Sequence, residues 1–432
     1  MAIKRSITRR RLLQASLAAA AAPMFVPGRV LGRDGGVAPS NRITLGFIGV
    51  GGHGHGYNLK TFLYQDDAQA VAVCDVMADR RERAVKTINE KYSTTGCRQY
   101  ADFRELLAAK DIDAVCISTP DHWHVPISMM AIAAGKDVMC EKPTLTIAEG
   151  RALVEAVKKS GRVYQVGLED RSVVQYHKLA EWVRNGAIGN LRRIYVKLLA
   201  GEAFPKEQTV AVPEGLNWNM WLGPAPFHPY TPTRTGAQQW RNIRDYSGGK
   251  FTDWGSHLMD TAQVANFSEL SSPVEVEGTG EIPPPEESMT TRPVNYKLHY
   301  KYANGVVMDV ESGGVELRFE GDKGWVGNKG WRGRLEASDE SILHQKYAPE
   351  ESKLWPLPVG EHRNFLDCIK SRAATTYTAE HGQRLATAMH IGNIAIELGR
   401  KVRWNPEQEE FVNDDAANKL RRRESREDWK NA

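Results

Sequence analysis

Short apolar runs rich in β-branched residues alternate with amphipathic segments through the first half of the chain. The apolar runs have the length of buried strands and predict strands over 43–48, 70–74, 114–118 and 137–140. The segments between them predict a helix that begins near Tyr57 and further helices over 84–92, 103–109 and 125–134. This alternation predicts a doubly wound parallel sheet that binds its ligand at the carboxyl ends of the strands.

The second half of the chain has longer strand-like runs separated by turn signals. Strands are predicted over 191–199, 274–280, 296–302, 306–311 and 315–320. Ala303-Asn304-Gly305 and Gly313-Gly314 predict hairpin turns. The chain is therefore assigned to the α/β class, with a parallel-sheet domain followed by an α+β domain that holds a large, open, mostly antiparallel sheet.

The change of pattern sets the expected domain boundaries. We place a first domain over 41–163, a second domain over 164–404 and a C-terminal tail over 405–432. The tail contains a run of mixed charge over 419–426, which is expected to be a solvated helix end.

Positive charge is concentrated at the amino terminus. The 432 residues have a formal charge of +4, but residues 1–33 hold seven basic and no acidic residues, which leaves −3 for the remainder. A mildly acidic remainder gives no support for nucleic-acid binding. Three successive arginines over 9–11, followed by a short Ala-rich stretch, predict a twin-arginine signal peptide over 1–33 and hence a periplasmic or otherwise exported protein. A disordered basic arm is the alternative.

Two further classes of structure are not expected from the composition. No run approaches the roughly 20 consecutive apolar residues that a membrane span requires. The five cysteines have no spacing typical of a disulfide framework or a metal site.

The strand predicted over 43–48 leads directly into a glycine-rich turn. Residues 49–54 read G-V-G-G-H-G and match the G-x-G-x-x-G pattern of dinucleotide-binding turns. Asp75 ends the next strand, 21 residues after Gly54, where a carboxylate can bind the adenosine ribose hydroxyls. An acid there favours NAD over NADP, although Arg80 and Arg81 lie close by. The residues expected at the cofactor here are Gly49, Gly51, Gly52, His53, Gly54 and Asp75; a glycine-rich turn without a ligand is the alternative.

Two loops follow later strands at the same edge of the predicted sheet, over 118–124 and over 141–143. They place Ser118, Thr119, Pro120, His122, Trp123, Glu141 and Lys142 near the cofactor. Asp121, His122 and His124 are residue types that bind metals, but nothing nearby supplies a further ligand or second-shell support, so no metal is expected. From spacing alone, an ordinary surface lysine before a helix-starting proline is the favoured interpretation of Lys142.

A chemically dense segment follows the first strand of the second domain. Gly248-Gly249 predicts a turn and the residues after it a helix, on which Asp253 and His257 share one face. The carboxylate can orient the imidazole, and histidine suits proton transfer near neutral pH. From spacing alone, an ordinary surface Asp–His pair is the favoured interpretation. The aromatic residues Trp240 and Trp254, with Arg241, are weaker candidates for substrate contacts.

Together these motifs resemble the Gfo/Idh/MocA oxidoreductases, the superfamily of glucose–fructose oxidoreductase and inositol dehydrogenase. The matching residues are the turn over 49–54, Asp75, Thr119-Pro120 with His124, the segment 134–138, Glu141-Lys142-Pro143 and the G-G-x-x-x-D-x-x-x-H segment over 248–257. The resemblance implies that Lys142 lies between nicotinamide and substrate, that His257 is the general acid/base, and that Asp253 is a supporting or substrate-binding carboxylate. It also implies that Arg171 points to the site.

The resemblance implies hydride transfer between a tightly bound nicotinamide cofactor and a hydroxyl or carbonyl of a sugar or cyclitol. Export favours a cofactor that does not exchange, because no free NAD pool exists outside the inner membrane. Two alternatives stay open: an NAD-dependent glycoside hydrolase that acts by transient oxidation and elimination, and a non-catalytic sugar-binding member. We expect a homo-oligomer, a dimer or tetramer, to form through the open sheet.

Overall fold

The structure is a computed structural model that describes residues 37–38 and 41–429. The predicted signal peptide lies outside these residues. The first domain is built on six parallel strands in the order β3-β2-β1-β4-β5-β6. They are β1 (Ile43–Ile48), β2 (Ala68–Cys74), β3 (Arg98–Tyr100), β4 (Ala114–Ile117), β5 (Asp137–Cys140) and β6 (Tyr164–Val166). Every residue of β4 and β5 is buried, as expected for central strands of a sheet covered on both faces.

Helices cover both faces of this sheet, and several begin earlier than the sequence predicts. The first, α1, is π-helical over Gly54–Leu59 and α-helical over Lys60–Phe62. The others are α2 (Ala78–Tyr92), α3 (Phe103–Ala108), α4 (Asp121–Ala133) and α5 (Ile147–Ser160). The loop predicted over 118–124 is thus partly the first turn of α4. Thr146 caps α5: its hydroxyl oxygen accepts from the amide of Glu149, and its hydroxyl group donates to the Glu149 carboxylate.

The second domain contains a nine-stranded sheet in the order β13-β12-β11-β7-β10-β9-β8-β14-β15. The strands are β7 (Leu191–Leu198), β8 (Glu275–Glu281), β9 (Asn295–Lys301), β10 (Val307–Ser312), β11 (Glu316–Gly321), β12 (Trp325–Lys329), β13 (Leu335–Ala337), β14 (Val402–Asn405) and β15 (Glu410–Phe411). All neighbours are antiparallel except β7 and β10. Burial alternates along β9, so one face lies on the core and the other is open.

Of the two predicted hairpins, one is confirmed and one is wrong. The turn at residues 303–305 joins β9 to its antiparallel partner β10. The turn at Gly313-Gly314 leads from β10 to β11, but β7 lies between these two strands and pairs with both. A short glycine turn between consecutive strands therefore did not define their pairing, because the earlier strand β7 occupies the space between them.

The helices of the second domain pack on the inner face of this sheet and on the first domain. They are α6 (Val174–Arg184), α7 (Trp218–Leu222), α8 (Pro232–Thr235), α9 (Lys250–Ala265), α10 (Glu340–Leu343), α11 (Glu361–Ser371), α12 (Ala379–Leu398) and α13 (Asp415–Lys419). Thirteen of the 16 residues of α9 are buried, which makes it the central helix of the second domain.

Two parts of the chain return to the first domain. Phe365 and Leu366 of α11 belong to the same apolar core as Leu45 and Phe47 of β1. The C-terminal tail also packs there: Trp429 is buried with its ring centroid 5.0 Å from that of Trp123.

The expectation of a solvated helix end over 419–426 is wrong. Arg423 donates to the carbonyl of His122 and to Glu149. Arg426 donates to the carbonyl of Gly223. These arginines fix the tail against the folded core, because the carbonyls and the carboxylate that accept their hydrogen bonds belong to that core.

Among the described residues, no helix combines the length and the apolar character that a bilayer crossing demands.

Candidate active site

A cavity of about 690 Å³ opens at the carboxyl ends of the parallel strands and extends to α9 of the second domain. Its wall runs from Asp75 and Arg80 at one end, past the glycine-rich turn and Lys142, to His257 and Trp331 at the other. Both domains therefore contribute side chains to a single site, as expected for a ligand bound at the edge of a doubly wound sheet.

The glycine-rich turn allows close backbone approach at two positions. Gly49 has a φ of 83°, and a side-chain carbon there would lie 2.7 Å from the carbonyl oxygen of Ser118. At Gly54 such a carbon would lie 2.1 Å from the carbonyl oxygen of Gly49. Beside Gly52 there is open space, so the start of α1 is accessible to a phosphate.

Asp75 lies where the sequence places it, at the end of β2 on the cavity wall. Its carboxylate accepts from the amides of Val50, at 2.9 Å, and Met77, at 3.0 Å. Burial raises the pKa of this carboxyl group above its ordinary value. Arg80 lines the same end of the cavity, and a side-chain carbon at Gly51 would lie 3.2 Å from its Nη1.

The loop after β4 contributes Ser118, Thr119 and Pro120 to the cavity wall, and Trp123 follows from α4. His122 differs from expectation. It is fully buried among aromatic rings, its Nε2 lies 2.9 Å from the carbonyl of Trp221, and burial lowers its pKa to about 3. On α4 its ring is directed towards Trp221 and Tyr246 of the second domain and away from the cavity.

Glu141 is held by His53 of the glycine-rich turn and by Asn58 of α1. Its Oε1 lies 2.9 Å from Nε2 of His53 and accepts from the Asn58 side chain at 2.8 Å. Asn58 is a buried residue of the π-helical turn and also donates to Ser118. Burial alone would raise the pKa of Glu141, but His53 and Asn58 hold the pKa well below its usual range. The pKa of His53 is raised by Glu141 despite its own burial.

Lys142 and Asp253 form an ion pair across the two domains. The ammonium group donates to Oδ1 of Asp253 at 3.0 Å and to the Asp253 carbonyl at 2.9 Å. Arg241 and Lys250 approach Oδ2 of the same carboxylate at 3.3 and 3.8 Å. Burial would raise the pKa of Asp253, but these three cations hold the pKa far below its usual range.

His257 has a carboxylate partner that the sequence did not predict. Its Nδ1 lies 3.0 Å from Oδ2 of Asp170, whereas we expected Asp253, four residues earlier on α9, to orient it. Asp170 also accepts from Nε1 of Trp331 at 3.0 Å and from Arg332 at 2.8 and 3.0 Å. These donors and His257 keep the pKa of Asp170 below its usual value although burial opposes this.

Of the weaker candidates, Trp240, Arg241 and Trp254 line the cavity. Arg171 does not. Its guanidinium is buried against Asp260 with two contacts of 2.7 Å, so it stabilises α9 instead of contacting a ligand. The preceding residue, Asp170, instead contacts His257, the histidine that is predicted to be the general acid/base.

Glu169, Asp170 and His257 each bring a potential metal ligand within 4.8 Å of the others. Arg332 already approaches both carboxylates, at 3.2 Å from Glu169 and 2.8 Å from Asp170. A guanidinium therefore supplies the positive charge that a metal ion would bring to this cluster.

The cavity fits a dinucleotide. The open space beside Gly52 at the start of α1 suits the pyrophosphate, and Asp75 suits the adenosine ribose. Ser118, Thr119 and Glu141 would then flank the nicotinamide, next to Lys142. The lining at the other end, around Trp254 and His257, is left for a substrate.

Comparison with known proteins agrees with a cofactor-binding first domain and a separate second domain. Residues 43–168 match the model of an oxidoreductase family described as an NAD-binding Rossmann fold. Residues 173–431 match the C-terminal alpha/beta domain of the same family, Gfo/Idh/MocA. The chain therefore belongs to this oxidoreductase family, and its first domain is an NAD-binding Rossmann domain.

The similarity to individual curated relatives and solved structures is low in sequence identity. An inositol 2-dehydrogenase of Klebsiella pneumoniae is 35% identical over 149 residues, which are 34% of this chain and 43% of that protein. One from Salmonella typhimurium is 28% identical over 169 residues, 39% of this chain and 49% of that protein. The chain thus spans about half the length of the curated relatives it matches.

Two solved structures illustrate the shared fold. The aldose-aldose oxidoreductase of Caulobacter crescentus, complexed with glycerol, has a TM-score of 0.58 at 20% identity, covering 84% of this chain and 99% of that one. The WlbA dehydrogenase of a Chromobacterium, in complex with NADH and UDP-GlcNAcA, has a TM-score of 0.63 at 18% identity, covering 86% and 98%.

Proposed function

We propose that this member of the Gfo/Idh/MocA family is a dehydrogenase that interconverts a hydroxyl and a carbonyl group on a sugar or cyclitol. One observation carries the proposal. Lys142 of the first domain and His257 of the second line the same cavity as the glycine-rich turn and Asp75. The inositol 2-dehydrogenases among the relatives support the class of substrate.

When bound, NAD supplies the acceptor or donor for the hydride. Lys142 places a cation beside the reacting oxygen, where it stabilises negative charge that develops during proton removal. Asp253 holds the ammonium group in place through its side chain and its carbonyl. Because Lys142 is largely buried, its charge is weakly screened by water and its effect on the reacting oxygen is strong.

His257 takes the hydroxyl proton at Nε2 in the direction of oxidation and returns it in the direction of reduction. The Asp170 carboxylate accepts a hydrogen bond from the protonated Nδ1 of His257 at 3.0 Å. It thereby selects the tautomer in which Nε2 is unprotonated and can act as a base. The negative charge of Asp170 also stabilises the imidazolium that forms. Trp331 donates to the same carboxylate oxygen, Oδ2, and Arg332 donates to Oδ1, so both help to fix the carboxylate.

We further propose that the protein is exported and keeps its NAD without exchange. The arginine run and Ala-rich stretch of residues 1–33 support export. A protein exported in the folded state can carry its cofactor along, and two half-reactions on one retained cofactor need no free NAD. Denaturing the purified protein and assaying the released nicotinamide tests retention: a molar ratio near one supports it, and a cofactor-free preparation indifferent to added NAD contradicts it.

Self-association is also proposed, through the open face of the nine-stranded sheet. This face carries exposed charged pairs such as Arg193 with Asp309 and Lys197 with Glu311. Light scattering on the purified protein measures the mass directly. Lys197→Glu places a second acid beside Glu311 and should weaken the association if this face is the interface.

A further inference from the structure

The part of the cavity wall around Asp253 holds more positive than negative charge. Three cations surround the single carboxylate of Asp253: Lys142, Arg241 and Lys250. Each of the three has Asp253 as its only carboxylate within ion-pairing distance among residues 37–38 and 41–429. One carboxylate can neutralise one of these charges, so two remain.

Lys250 is the most unusual of the three. It occupies the first position of α9 and is 9% exposed, yet its ammonium group forms no hydrogen bond with any residue that the structure describes. The 3.8 Å to Asp253 is an ion pair beyond hydrogen-bonding distance. Its side chain lines the cavity. The ammonium group is open to the cavity and lacks an acceptor among the described residues of the protein, so an anionic group that enters the cavity can form a charge-assisted hydrogen bond with it.

Arg241 lies on the same side of Asp253. Its guanidinium stacks over the ring of Trp240, 4.4 Å from the centroid, and donates to Gln238 through Nη1. These contacts fix the plane of the guanidinium, while the carboxylate of Asp253 is 3.3 Å from Nε. Its Nη2 has no partner within the described chain. A fixed guanidinium edge is well suited to an anionic oxygen.

The surplus is local to Asp253. Glu169 and Asp170 share the single charge of Arg332, and neither lies within ion-pairing distance of the three cations around Asp253. Glu361 also lines the cavity, and burial raises the pKa of its carboxyl group well above the ordinary value. Glu141 is paired with His53 on the cofactor side. Asp121 is buried, and its carboxylate accepts from the hydroxyl of Ser247. If the charge of Asp121 is counted in full, the three cations still exceed the two carboxylates, Asp121 and Asp253, by one charge.

We propose that the substrate is an anionic sugar whose carboxylate or phosphate is bound between Lys250 and Arg241, close to the reacting hydroxyl at Lys142. The inference rests on the proposed dehydrogenase function. The anionic group supplies the acceptor that Lys250 lacks and neutralises the surplus charge when the substrate enters. A neutral sugar leaves Lys250 without an anionic acceptor and the surplus charge uncompensated, so it binds less tightly.

The test uses the protein with its cofactor and three ligands: D-glucose, D-glucuronate and D-glucose 6-phosphate. Ligand binding is measured from the fluorescence of the tryptophans that line the cavity, and turnover from the absorbance of the reduced cofactor. At least one of the two acids should bind about tenfold more tightly than glucose or more, the range of a charge-assisted contact in a partly buried site. The two acid arms distinguish a carboxylate from a phosphate.

Lys250→Met removes the charge and keeps the length of the side chain. We expect the ratio of acid to glucose affinity to fall about tenfold in this variant, and to be largely retained in Lys250→Arg. Lys86→Met, an exposed lysine of α2, is the matched control and should leave the ratio unchanged. Arg241→Gln gives a second, independent variant if Lys250→Met does not fold.

Two results would overturn the inference: equal binding of glucose and both acids by the unmodified protein, or an unchanged ratio in folded Lys250→Met and Arg241→Gln. Cofactor reduction by glucose with no preference for an acid would reject the anionic substrate and leave the proposed function standing. Because binding is measured separately from turnover, an acid preference without any cofactor reduction would reject the function instead.

Discussion

Nδ1 of His257 lies 3.0 Å from the carboxylate of Asp170, a residue 87 positions earlier in the chain. Asp253 is on the same helix as His257 but pairs with Lys142. The two carboxylates therefore have separate partners. Asp170 contacts the proposed general base, and Asp253 holds the ammonium group that is proposed to stabilise charge on the reacting oxygen.

Asp170→Asn removes the negative charge and keeps the size of the side chain. The turnover number should fall at least about tenfold, because the base loses the partner that selects its tautomer and stabilises its protonated form. The pKa of Asp170 lies below its usual value, so the carboxylate is ionised throughout the neutral range. Losing that charge makes the imidazolium less stable, and the pH profile of oxidation should move to lower pH. An unshifted profile would assign Asp170 a purely structural role.

The sequence was sufficient for the parts of the site that are encoded locally. The glycine turn, Lys142, Asp253 and His257 lie in short motifs attached to one strand or helix each, and the structure brings all of them to one cavity. Trp331 and Arg332 could not be found this way. They lie between β12 and β13, and their position depends on the order of nine strands.

Asp170 was missed for a related reason. The resemblance singled out Arg171, the residue after it. In the structure Glu169 lines the cavity, Asp170 contacts His257, and Arg171 turns to another partner. The directions of these adjacent side chains depend on the short 3-10 helix Glu169–Ser172, and this local geometry has no clear signal in the sequence.

Lys142→Met tests the role of the ammonium group. We expect the turnover number to fall by about 100-fold or more, since a preorganised charge at the reacting oxygen is lost. Bound NAD should be retained, because the glycine turn and Asp75 are untouched. Cofactor content and turnover are measured on the same preparation. Full activity in the folded variant would remove Lys142 from the mechanism.

Gly54→Ala tests the close approach of the glycine turn. The added carbon would lie 2.1 Å from the carbonyl of Gly49, so we expect a loss of about 1–3 kcal/mol in the free energy of unfolding and weaker cofactor retention. Gly56→Ala is the matched control, because no atom lies within 4 Å of a carbon added there. Denaturant titration of both variants distinguishes the two positions; equal losses would contradict the packing account.

Trp429→Ala tests the contact between the C-terminal tail and the first domain. Trp429 packs edge-on against Trp123, which itself lines the cavity. We expect a loss of about 3 kcal/mol in stability and faster loss of NAD, because Trp123 loses its support. Val412→Ala, at an exposed position before α13, serves as the control. Unchanged cofactor retention in Trp429→Ala would show that the tail does not support the cavity.

Glu380 gives the fold a predictable acid sensitivity. Hydrogen bonds from Arg151 and then Arg384 lower its pKa to about 2, from an ordinary value of 4.5. Its stabilising contribution is therefore complete above pH 4.5 and is lost as the pH falls towards 2. Glu380→Gln should flatten the decrease in melting temperature in this window. Glu90→Gln, at an exposed position, should leave the decrease as it is.

The central claim is that one cavity brings a cofactor-bound nicotinamide, Lys142 and His257 to the same sugar hydroxyl. Mixing the cofactor-loaded protein with a panel of cyclitols, neutral sugars and sugar acids, and recording the absorbance of reduced nicotinamide, tests it most directly. We expect stoichiometric reduction by at least one member of the panel, at a rate that falls about 100-fold or more in both Lys142→Met and His257→Ala. An unchanged rate in either variant, or a loaded protein that no member reduces and that releases nitrophenol from nitrophenyl glycosides, would contradict the claim.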